Sequence, residues 1–594
     1  MPDTPSKDKK PASARTATGR WGSDVIVDML HRYELPYAAL NPGASYRGLH
    51  DSMVNYGGNK PVMMLCQHEE TAVQIAHGYA KASGKPMVAI VHDLVGLLHS
   101  NLAIYYAYVD RVPIFIIGAT GPMDETKRRP RIDWTHTAQV QGEAVRAYTK
   151  WDYQPTVVDG VPEAFARAYG VMMTEPQGPI YMCYDAWLQE QPLDHEVPLP
   201  PKSAMQVPAQ FTADPAALER AADLIAAAQR PVILAEFVGR DPRGFSALVE
   251  LAETLGCPVH DVNSRLNFPG NHPLNVSMEK SVFRDADLIL CLDVRDWERA
   301  TTELVSTTRK LTSIEPPDCI WIDIGFGDLE LSSWAMDYQR LKHAQLRIIA
   351  DTTLAIPALT ALLRRRISGS AELQKRIEAR ARKTGEVHRA ARAKWAKEAR
   401  EDWDATPITL PRLAHEMWEV IKHEDWVLTA NTLEDWTRML WDFDKPYRHP
   451  GKSLGTATQI GISLGVALAH RDAGRLVVDI QPDGDLMFDA GALWVAVKHK
   501  IPMLIVMYNN RSYYNDWEHQ IRMAKLRGTP VERAHIGMDL EGPEVDFAGL
   551  ARSMGWYAEG PIEHGKDVGP ALKRAIARVK AGQPALLDTI TQKR

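Results

Sequence analysis

The chain alternates short apolar, β-branched runs with amphipathic stretches over most of its 594 residues. Runs such as MVAIVH at 87–92, VPIFIIGA at 112–119 and LVVDI at 476–480 have the length and composition of buried strands. The stretches between them space their apolar residues as helices do. This alternation predicts βα units, and therefore mostly parallel sheets with helices on both faces.

The predicted βα units fall into three groups, which agrees with the number of domains expected for a chain of this length. A proline-rich polar stretch separates the first group from the second, and an Ala-rich, densely charged stretch separates the second from the third. We therefore expect an α/β fold with three doubly wound domains. The predicted parts are a flexible tail at 1–18, domains at 19–195, 205–368 and 406–594, and a charged helical connector at 369–405.

Composition narrows the classes of function. The net charge is -6, which gives no general attraction to nucleic acid or to acidic membranes. No apolar run approaches the roughly 20 residues that span a bilayer. The five cysteines are scattered without a Cys-x-x-Cys pair, so the sequence predicts neither a disulfide framework nor a zinc site. The scattered cysteines favour a reducing compartment, and we expect a cytoplasmic protein.

Polar residues follow two consecutive predicted strands in the third segment, RLVVDIQPDGDLMFDAGALWVAVKHKIPMLIVMYNNRS at 475–512. Asp483 follows the first strand and Asn510 follows the second. Because parallel strands end at the same edge of a sheet, the two side chains should lie close together. A carboxylate and an amide oxygen are hard ligands suited to Mg²⁺. Alone, either dipeptide would be an ordinary turn; together at this spacing they predict a metal-dependent phosphate site.

This Asp-Gly to Asn-Asn pattern resembles the signature of thiamine-diphosphate enzymes. The resemblance implies Mg²⁺ bound by Asp483, Asn510 and the backbone carbonyl of Ser512. One departure is Pro482, which stands where the family usually has glycine and which lacks an N–H. A second is a small residue at the position that bends the cofactor, Thr456. The residues implied to contact the cofactor are Asn431, Thr432, Thr456, Gly484 and Asp485.

A glutamate in the first segment completes the implied chemistry. In CQHEETAVQIAHGYAKASGKP, Glu69 opens a predicted helix that ends near Gly84. Thiamine chemistry needs one protein carboxyl group that hydrogen-bonds the aminopyrimidine ring. Without context, Glu69 and Glu70 are ordinary acids of a first helical turn. The stretch is similar to the His-Glu helix of the acetolactate synthase and benzoylformate decarboxylase branch, and this similarity implies that Glu69 activates the cofactor.

The resemblance to this branch covers nearly the whole chain and implies pyrimidine-binding, central and diphosphate-binding domains in that order. It also implies a homodimer or homotetramer with active sites between chains. The substrate pocket would include Ala44 and Ser45 after the first strand, and His92 as a second catalytic group. It would also include Asn515 and His519, which share one helix face. These polar residues favour a polar carbonyl substrate.

The sequence leaves several functions open. The main prediction is decarboxylation of a 2-oxoacid, carboligation, or both. The segment VHDLVGLLHSN lacks the Gly-Pro-Gly loop that the resemblance to acetolactate synthases implies, which argues against simple condensation of pyruvate. An alternative is a lyase or hydrolase that acts without decarboxylation on a 2-hydroxyacyl or 1,2-dicarbonyl substrate. A silent cofactor-binding subunit is a further alternative. The central segment has no Gly-x-Gly-x-x-Gly, so bound FAD has no support from the sequence.

Overall fold

The computed structural model describes residues 21–329, 331–335, 340 and 342–593, and the expected tail at 1–18 lies outside them. The chain divides into two compact units. The first contains the residues up to Ala80, Lys85–Ala209 and Ser332–Ala335, and the second contains the rest. Among the described residues, no helix is both long enough and apolar enough to cross a bilayer.

The first unit is built on a six-stranded parallel sheet whose spatial order is β2-β1-β3-β4-β6-β5. The buried strands β3, β4 and β6 form its centre, as their continuous apolar runs predict. The strands are β1 (Tyr37–Leu40), β2 (Val62–Leu65), β3 (Met87–Ile90), β4 (Ile114–Thr120), β5 (Trp151–Tyr153) and β6 (Ile180–Asp185). The helices are α1 (Gly22–Arg32), α2 (Arg47–Asp51), α3 (Glu69–Ser83), α4 (Val95–His99), α5 (Asn101–Val109), α6 (Ile132–His136), α7 (Val161–Met173) and α8 (Ala186–Glu190).

The second unit contains two parallel sheets, and the one nearer the N-terminus has the order β13-β12-β9-β7-β8. An antiparallel hairpin of β10 and β11 stands apart from this sheet. The strands are β7 (Pro231–Ala235), β8 (Val259–Asp261), β9 (Leu288–Leu292), β10 (Thr302–Val305), β11 (Lys310–Ser313), β12 (Ile320–Gly325) and β13 (Leu346–Ile349). The helices are α9 (Pro215–Ala227), α10 (Pro242–Leu255), α11 (Trp297–Thr301), α12 (Thr352–Ser368) and α13 (Ala371–Glu398).

The other sheet of the second unit has the order β14-β15-β16-β18-β17, again parallel throughout. This matches the order β1-β3-β4-β6-β5 of the first unit. The strands are β14 (Trp426–Thr429), β15 (Leu476–Pro482), β16 (Leu504–Asn509), β17 (Tyr557–Ile562) and β18 (Ala585–Ile590). The helices are α14 (Leu410–Ile421), α15 (Trp436–Leu440), α16 (Gln459–His470), α17 (Asp483–Phe488), α18 (Ala492–Lys498), α19 (Tyr514–Arg527), α20 (Phe547–Ser553) and α21 (Gly565–Lys580).

The connector predicted at 369–405 is the long helix α13, with a mostly exposed surface. It is more than a solvated spacer, because its cations bind the ends of other helices. The guanidinium of Arg380 donates to the carbonyl oxygens of Leu255 and Gln229, and that of Arg376 donates to the carbonyl of Ala226. The carbonyls of Ala226 and Leu255 lie in the last turns of α9 and α10, where a helix leaves such groups unpaired.

A buried ion triad lies at the carboxyl edge of the central sheet. Arg240 follows β7, and its guanidinium nitrogens lie 2.9 Å from a carboxylate oxygen of Asp293 and 2.8 Å from one of Asp351. The two carboxylate side chains are 1% and 0% exposed. Both carboxylates are therefore removed from water, and the guanidinium of Arg240 compensates their charge.

Removing Arg240 should strongly destabilise the second unit. We expect Arg240→Ala to cost about 3–5 kcal/mol, because it leaves two buried carboxylates without a counter-charge. Arg243→Ala is a matched control, since Arg243 pairs with Asp241 at an exposed position and should contribute only about 0–1 kcal/mol. Chemical unfolding followed by tryptophan fluorescence would measure both, and equal effects of the two substitutions would contradict this account.

Candidate active site

The predicted metal ligands converge at the carboxyl ends of β15 and β16. These strands are neighbours, with Pro482 opposite Tyr508, so the residues after each strand meet at one edge. The backbone N–H of Ser512 donates to Oδ2 of Asp483 at 3.2 Å and to Oδ1 of Asn510 at 3.0 Å. The structure therefore brings together Asp483, Asn510 and Ser512, and all three are buried.

The proline in this loop is compatible with the local backbone. Pro482 has φ -67°, which is the value its ring imposes, and it is the last residue of β15. The glycine that follows Asp483 is required by packing, since a Cβ on Gly484 would lie 2.5 Å from the ring of Tyr513. Its N–H donates to Oδ1 of Asp483 at 2.9 Å. The departure from the usual glycine leaves the position of the carboxylate intact.

These residues fit a divalent, oxygen-seeking cation. Burial raises the pKa of Asp483 to about 6, and the carboxylate receives only backbone N–H groups among the contacts that the structure describes. A cation would supply the missing charge compensation. The donors present are a carboxylate, a carboxamide oxygen and a backbone carbonyl, which is the ligand class that Mg²⁺ prefers.

A second loop at this edge has an unusual backbone. Gly455, Thr456 and Ala457 have φ of 80°, 55° and 72°, and such conformations in residues other than glycine concentrate at functional sites. The N–H of Ala457 donates to Oδ1 of Asp485 at 2.8 Å, and Gln481 donates to Oδ2 of the same carboxylate at 3.1 Å. Asp485 thus ties this loop to the one that carries Asp483. Thr456 itself is exposed.

The two remaining residues expected to contact the cofactor follow β14. The side chain of Asn431 accepts a hydrogen bond from the N–H of Leu433 at 2.7 Å, which fixes a tight turn. Thr432 is buried, and its hydroxyl donates to Asp435 at 3.3 Å. Both residues therefore lie at the same sheet edge as the Asp483 loop, since β14 and β15 are parallel neighbours.

A buried acid lies in β15 beneath this edge. Asp479 is fully buried, and burial raises its pKa to about 8. Gln459 donates to its Oδ1 at 2.7 Å, whereas its Oδ2 has no hydrogen-bond partner in the described residues. The carboxyl group is therefore held as the neutral acid near neutral pH.

Asp479 should make stability depend on pH. Its folded pKa lies above the unfolded value of about 4, so its contribution favours folding at low pH and is lost as the pH rises from about 4 through 8. We expect Asp479→Asn to remove this part of the slope, so that the variant gains stability relative to the wild type between pH 6 and 8. Thermal melts over this range would measure it. Exposed Asp472→Asn is the control and should track the wild type.

In the first unit, the residues predicted to face the substrate lie where β1 and β3 end. These strands are neighbours. The strand after β1 in the chain, β2, lies on one side of it, and β3 lies on the other side. In open α/β sheets, ligands bind in the crevice at such a reversal of strand order. The hydroxyl of Ser45 lies 2.8 Å from Nδ1 of His92. A Cβ on Gly43 would lie 2.6 Å from the same imidazole, so the loop passes close against it. Ala44 is exposed.

Glu69 is the first residue of α3 and is buried, as expected for its predicted role. Oε2 of Glu69 lies 3.1 Å from Nδ1 of His99, and the ring of His99 stacks on that of His68 at 4.7 Å. A Cβ on Gly96 would lie 2.7 Å from Oε1 of Glu69, so only glycine allows this approach. The carboxyl group therefore sits in a close-fitting cradle formed by α3 and α4.

Sequence reasoning missed several residues that the structure places beside the predicted ones. His68 and His99 flank Glu69, while Asp93 and His136 lie beside His92. A signal was present for His99, which lies seven residues after His92 in the segment VHDLVGLLHSN. No sequence pattern indicates His136, which is the last residue of α6.

The two polar residues predicted from α19 lie one helical turn apart. Asn515 and His519 are both exposed, at the first and second turns of the helix. They form a polar face that begins three residues beyond Ser512. Their role in a substrate pocket stays a prediction.

The central sheet carries carboxylates at the edge where the phosphates of FAD would bind. Its crevice lies between the ends of β7 and β9, where a dinucleotide phosphate would need free N–H groups or cations. Instead, Glu236 follows β7 and accepts the N–H of Arg295 at 2.7 Å. One cation at this edge, Arg240, is engaged by Asp293 and Asp351. A second diphosphate would meet carboxylates there.

Comparison with known families gives three matches that follow one another along the chain. Residues 20–144 match the N-terminal TPP binding domain of thiamine pyrophosphate enzymes. Residues 218–357 match the central domain of these enzymes. Residues 432–589 match their C-terminal TPP binding domain. The described site residues fall within the first and third matches, except Asn431, which immediately precedes the third.

Curated relatives are distant but align along most of the chain. A probable acetolactate synthase 2 from Oryza sativa subsp. japonica is 24% identical over 98% of this chain and 85% of its own length. Benzoylformate decarboxylase from Pseudomonas aeruginosa is 23% identical over 89% of this chain and 92% of its own. The crystal structure of benzoylformate decarboxylase from Polynucleobacter necessarius superposes with a TM-score of 0.74 at 19% identity, covering 97% of this chain and 99% of that one. This last likeness shows the fold.

Proposed function

We propose that this chain, which belongs to the thiamine pyrophosphate enzyme family, uses thiamine diphosphate and Mg²⁺ to cleave or form a carbon–carbon bond next to a carbonyl. The reaction we favour is decarboxylation of a 2-oxoacid, carboligation, or both. The relatives named as benzoylformate decarboxylase and acetolactate synthase support this class. The substrate we expect is a small polar carbonyl compound.

The observation that carries the proposal is the convergence of Asp483 and Asn510 on the N–H of Ser512. A buried carboxylate and a buried carboxamide oxygen, from the ends of adjacent strands, accept the same backbone N–H. Among the described hydrogen bonds of the Asp483 carboxylate, every donor is a backbone N–H and none is a cationic side chain. Such an arrangement is stabilised by a cation, and a cation at this edge would hold the phosphate groups of a cofactor. Asn431, Thr432, Gly484 and Asp485 would line the same site.

When bound, thiamine diphosphate supplies the carbanion and the electron sink of the reaction. The side chains of the protein would orient the cofactor and the substrate and transfer protons to and from them. Glu69 would hold a proton at its carboxyl group, and His99 would fix the orientation of Oε2 through the 3.1 Å contact. Burial of Glu69 excludes water from this exchange.

His92 is the second proton-transfer group that we propose. The Ser45 hydroxyl accepts the N–H of Asp93 at 3.2 Å, so its own hydrogen is available for Nδ1 of His92. This arrangement favours the tautomer that carries a proton on Nε2. Burial lowers the pKa of His92 below its usual value, which keeps the ring neutral, so that Nε2–H can donate to an intermediate while Nδ1 accepts from the Ser45 hydroxyl.

The oligomeric state follows from the family resemblance and stays a prediction. We expect a homodimer or homotetramer in which the first domain of one chain serves the cofactor held by the third domain of another. Cytoplasmic localisation is likewise our expectation from the sequence.

Glu69→Gln is the direct test of the proposed proton transfer. We expect kcat to fall by about 10²–10⁴, because the amide cannot exchange the proton. Binding of thiamine diphosphate should be retained. Glu70→Gln, on the adjacent residue, is the matched control and should keep most of the activity. Turnover of a panel of 2-oxoacids by both variants would measure this, and an active Glu69→Gln enzyme would refute the role.

Asp483→Asn tests the metal site without reference to turnover. We expect calorimetry with thiamine diphosphate and Mg²⁺ to show binding to the wild-type protein and a loss of at least about tenfold in affinity in the variant, since a carboxylate ligand is lost. Asp516→Asn, on an exposed part of α19, should bind as the wild type does. If the wild-type protein takes up no cofactor, the proposed function is wrong.

A lyase or hydrolase that acts without decarboxylation is the second candidate. The polar pair Asn515 and His519 favours it, because these side chains could bind a hydroxyl or second carbonyl group of the substrate. Product analysis with 2-oxoacids and with 2-hydroxyacyl substrates separates the candidates: release of CO₂ supports decarboxylation, whereas cleavage without CO₂ supports the alternative.

A further inference from the structure

Three metal-binding side chains meet in the first unit at the end of β3. His92 and Asp93 follow the strand, and His136 is the last residue of α6. Oδ1 of Asp93 lies 3.4 Å from Nδ1 of His92 and 4.0 Å from Nδ1 of His136. One donor atom from each of the three residues lies within 4.8 Å of the other two.

Two of these donor atoms lack a hydrogen bond although they are buried. Oδ1 of Asp93 and Nδ1 of His136 have no hydrogen-bond partner among the described residues. The other oxygen of Asp93 has a long contact, 3.4 Å, from the hydroxyl of Thr137. The residue is only 4% exposed, so water does not readily compensate its charge. A buried carboxylate oxygen that faces two imidazole nitrogens is costly unless a proton or a cation lies between them.

We propose that His92, Asp93 and His136 bind a divalent transition-metal ion, with Zn²⁺ as the ion that fits best. Ligands about 2.1 Å from a tetrahedral zinc lie about 3.4 Å from one another. The pair Asp93–His92 already has this separation. His136 needs to approach by about 0.6 Å relative to Asp93, and its partly exposed side chain at the end of a short helix can make this adjustment.

The ligand set distinguishes this site from the Asp483 site. Two imidazole nitrogens and one carboxylate suit Zn²⁺ and related ions, whereas Mg²⁺ prefers the all-oxygen set around Asp483. Three protein ligands leave a fourth position open for water or for an oxygen of a bound ligand. Coordination through Nδ1 would replace the Ser45 contact of His92 and leave Nε2 protonated.

The test is metal binding by the full-length protein, measured without turnover. Protein freed of metal with a chelator and then dialysed is titrated with Zn²⁺ against a competing indicator, and with Co²⁺ while the visible absorption is recorded. Excess Mg²⁺ and thiamine diphosphate are present, so that the Asp483 site is not available to the probe. We expect one tightly bound ion per chain, with the strong visible bands of four-coordinate Co²⁺.

The variants assign the ion to this cluster. His136→Gln and Asp93→Asn should each weaken Zn²⁺ binding on the order of a hundredfold, because each removes one ligand. His195→Gln is the matched control in the same unit. His195 also contacts two carboxylates, at 2.7 and 3.0 Å from Asp194 and Asp159, but on the surface, and its loss should leave the affinity unchanged. Thermal melts of the metal-free proteins would verify that each variant is folded.

Two results would overturn the proposal: no tight Zn²⁺ in the wild-type protein, or tight Zn²⁺ that survives both His136→Gln and Asp93→Asn. In either case Asp93 shares a proton with the imidazoles instead. The outcome is independent of the proposed function, which is tested by cofactor uptake at Asp483. Zinc binding with no cofactor uptake would uphold this site and reject the function, and the reverse result would do the opposite.

Discussion

The parallel pairing of β15 with β16 is the constraint on which the proposed metal site depends. Two strands that run side by side in the same direction must end at one edge, and their register sets Pro482 opposite Tyr508. A carboxylate and a carboxamide far apart in sequence therefore share the N–H of Ser512. The apolar residues that bury these strands are thus also what positions the oxygen ligands.

Desolvation of carboxyl groups recurs at the strand ends. Burial raises the pKa of Asp483 to about 6 at the end of β15 and that of Asp93 to about 6 at the end of β3. In the central sheet, by contrast, a cation pairs with the buried carboxylates, as Arg240 does with Asp293 and Asp351. In the central sheet, an arginine side chain compensates the buried carboxylates. In the other two sheets, we propose that bound metal ions do so.

The sequence predicted the strands at the centre of each sheet, because continuous buried strands have a strong local pattern. Edge strands β2, β5, β13 and β17 and the hairpin of β10 and β11 were missed, since they are short and partly exposed. In the proposed site, Glu69, Asp483 and Asn510 were predicted from local motifs, and their roles stay predictions. The contacts of His99 with Glu69 and of His136 with Asp93 join residues 30 and 43 positions apart on different elements, and no local pattern specifies them.

Apart from its edge strand β2, the sheet of the first unit has the same strand order as the sheet formed by β14–β18. The strands β3 and β15 therefore occupy equivalent places. The residues after the two strands differ: an imidazole and a carboxylate come after β3, and a carboxylate that begins a helix comes after β15. The same strand order thus occurs twice in the chain with different side chains at the carboxyl edge: imidazole nitrogens in the first unit, and carboxylate and carboxamide oxygens after β15 and β16. Replacing the loop after β3 would therefore change the nitrogen donors at that edge and leave the sheet that carries Asp483 and Asn510 intact.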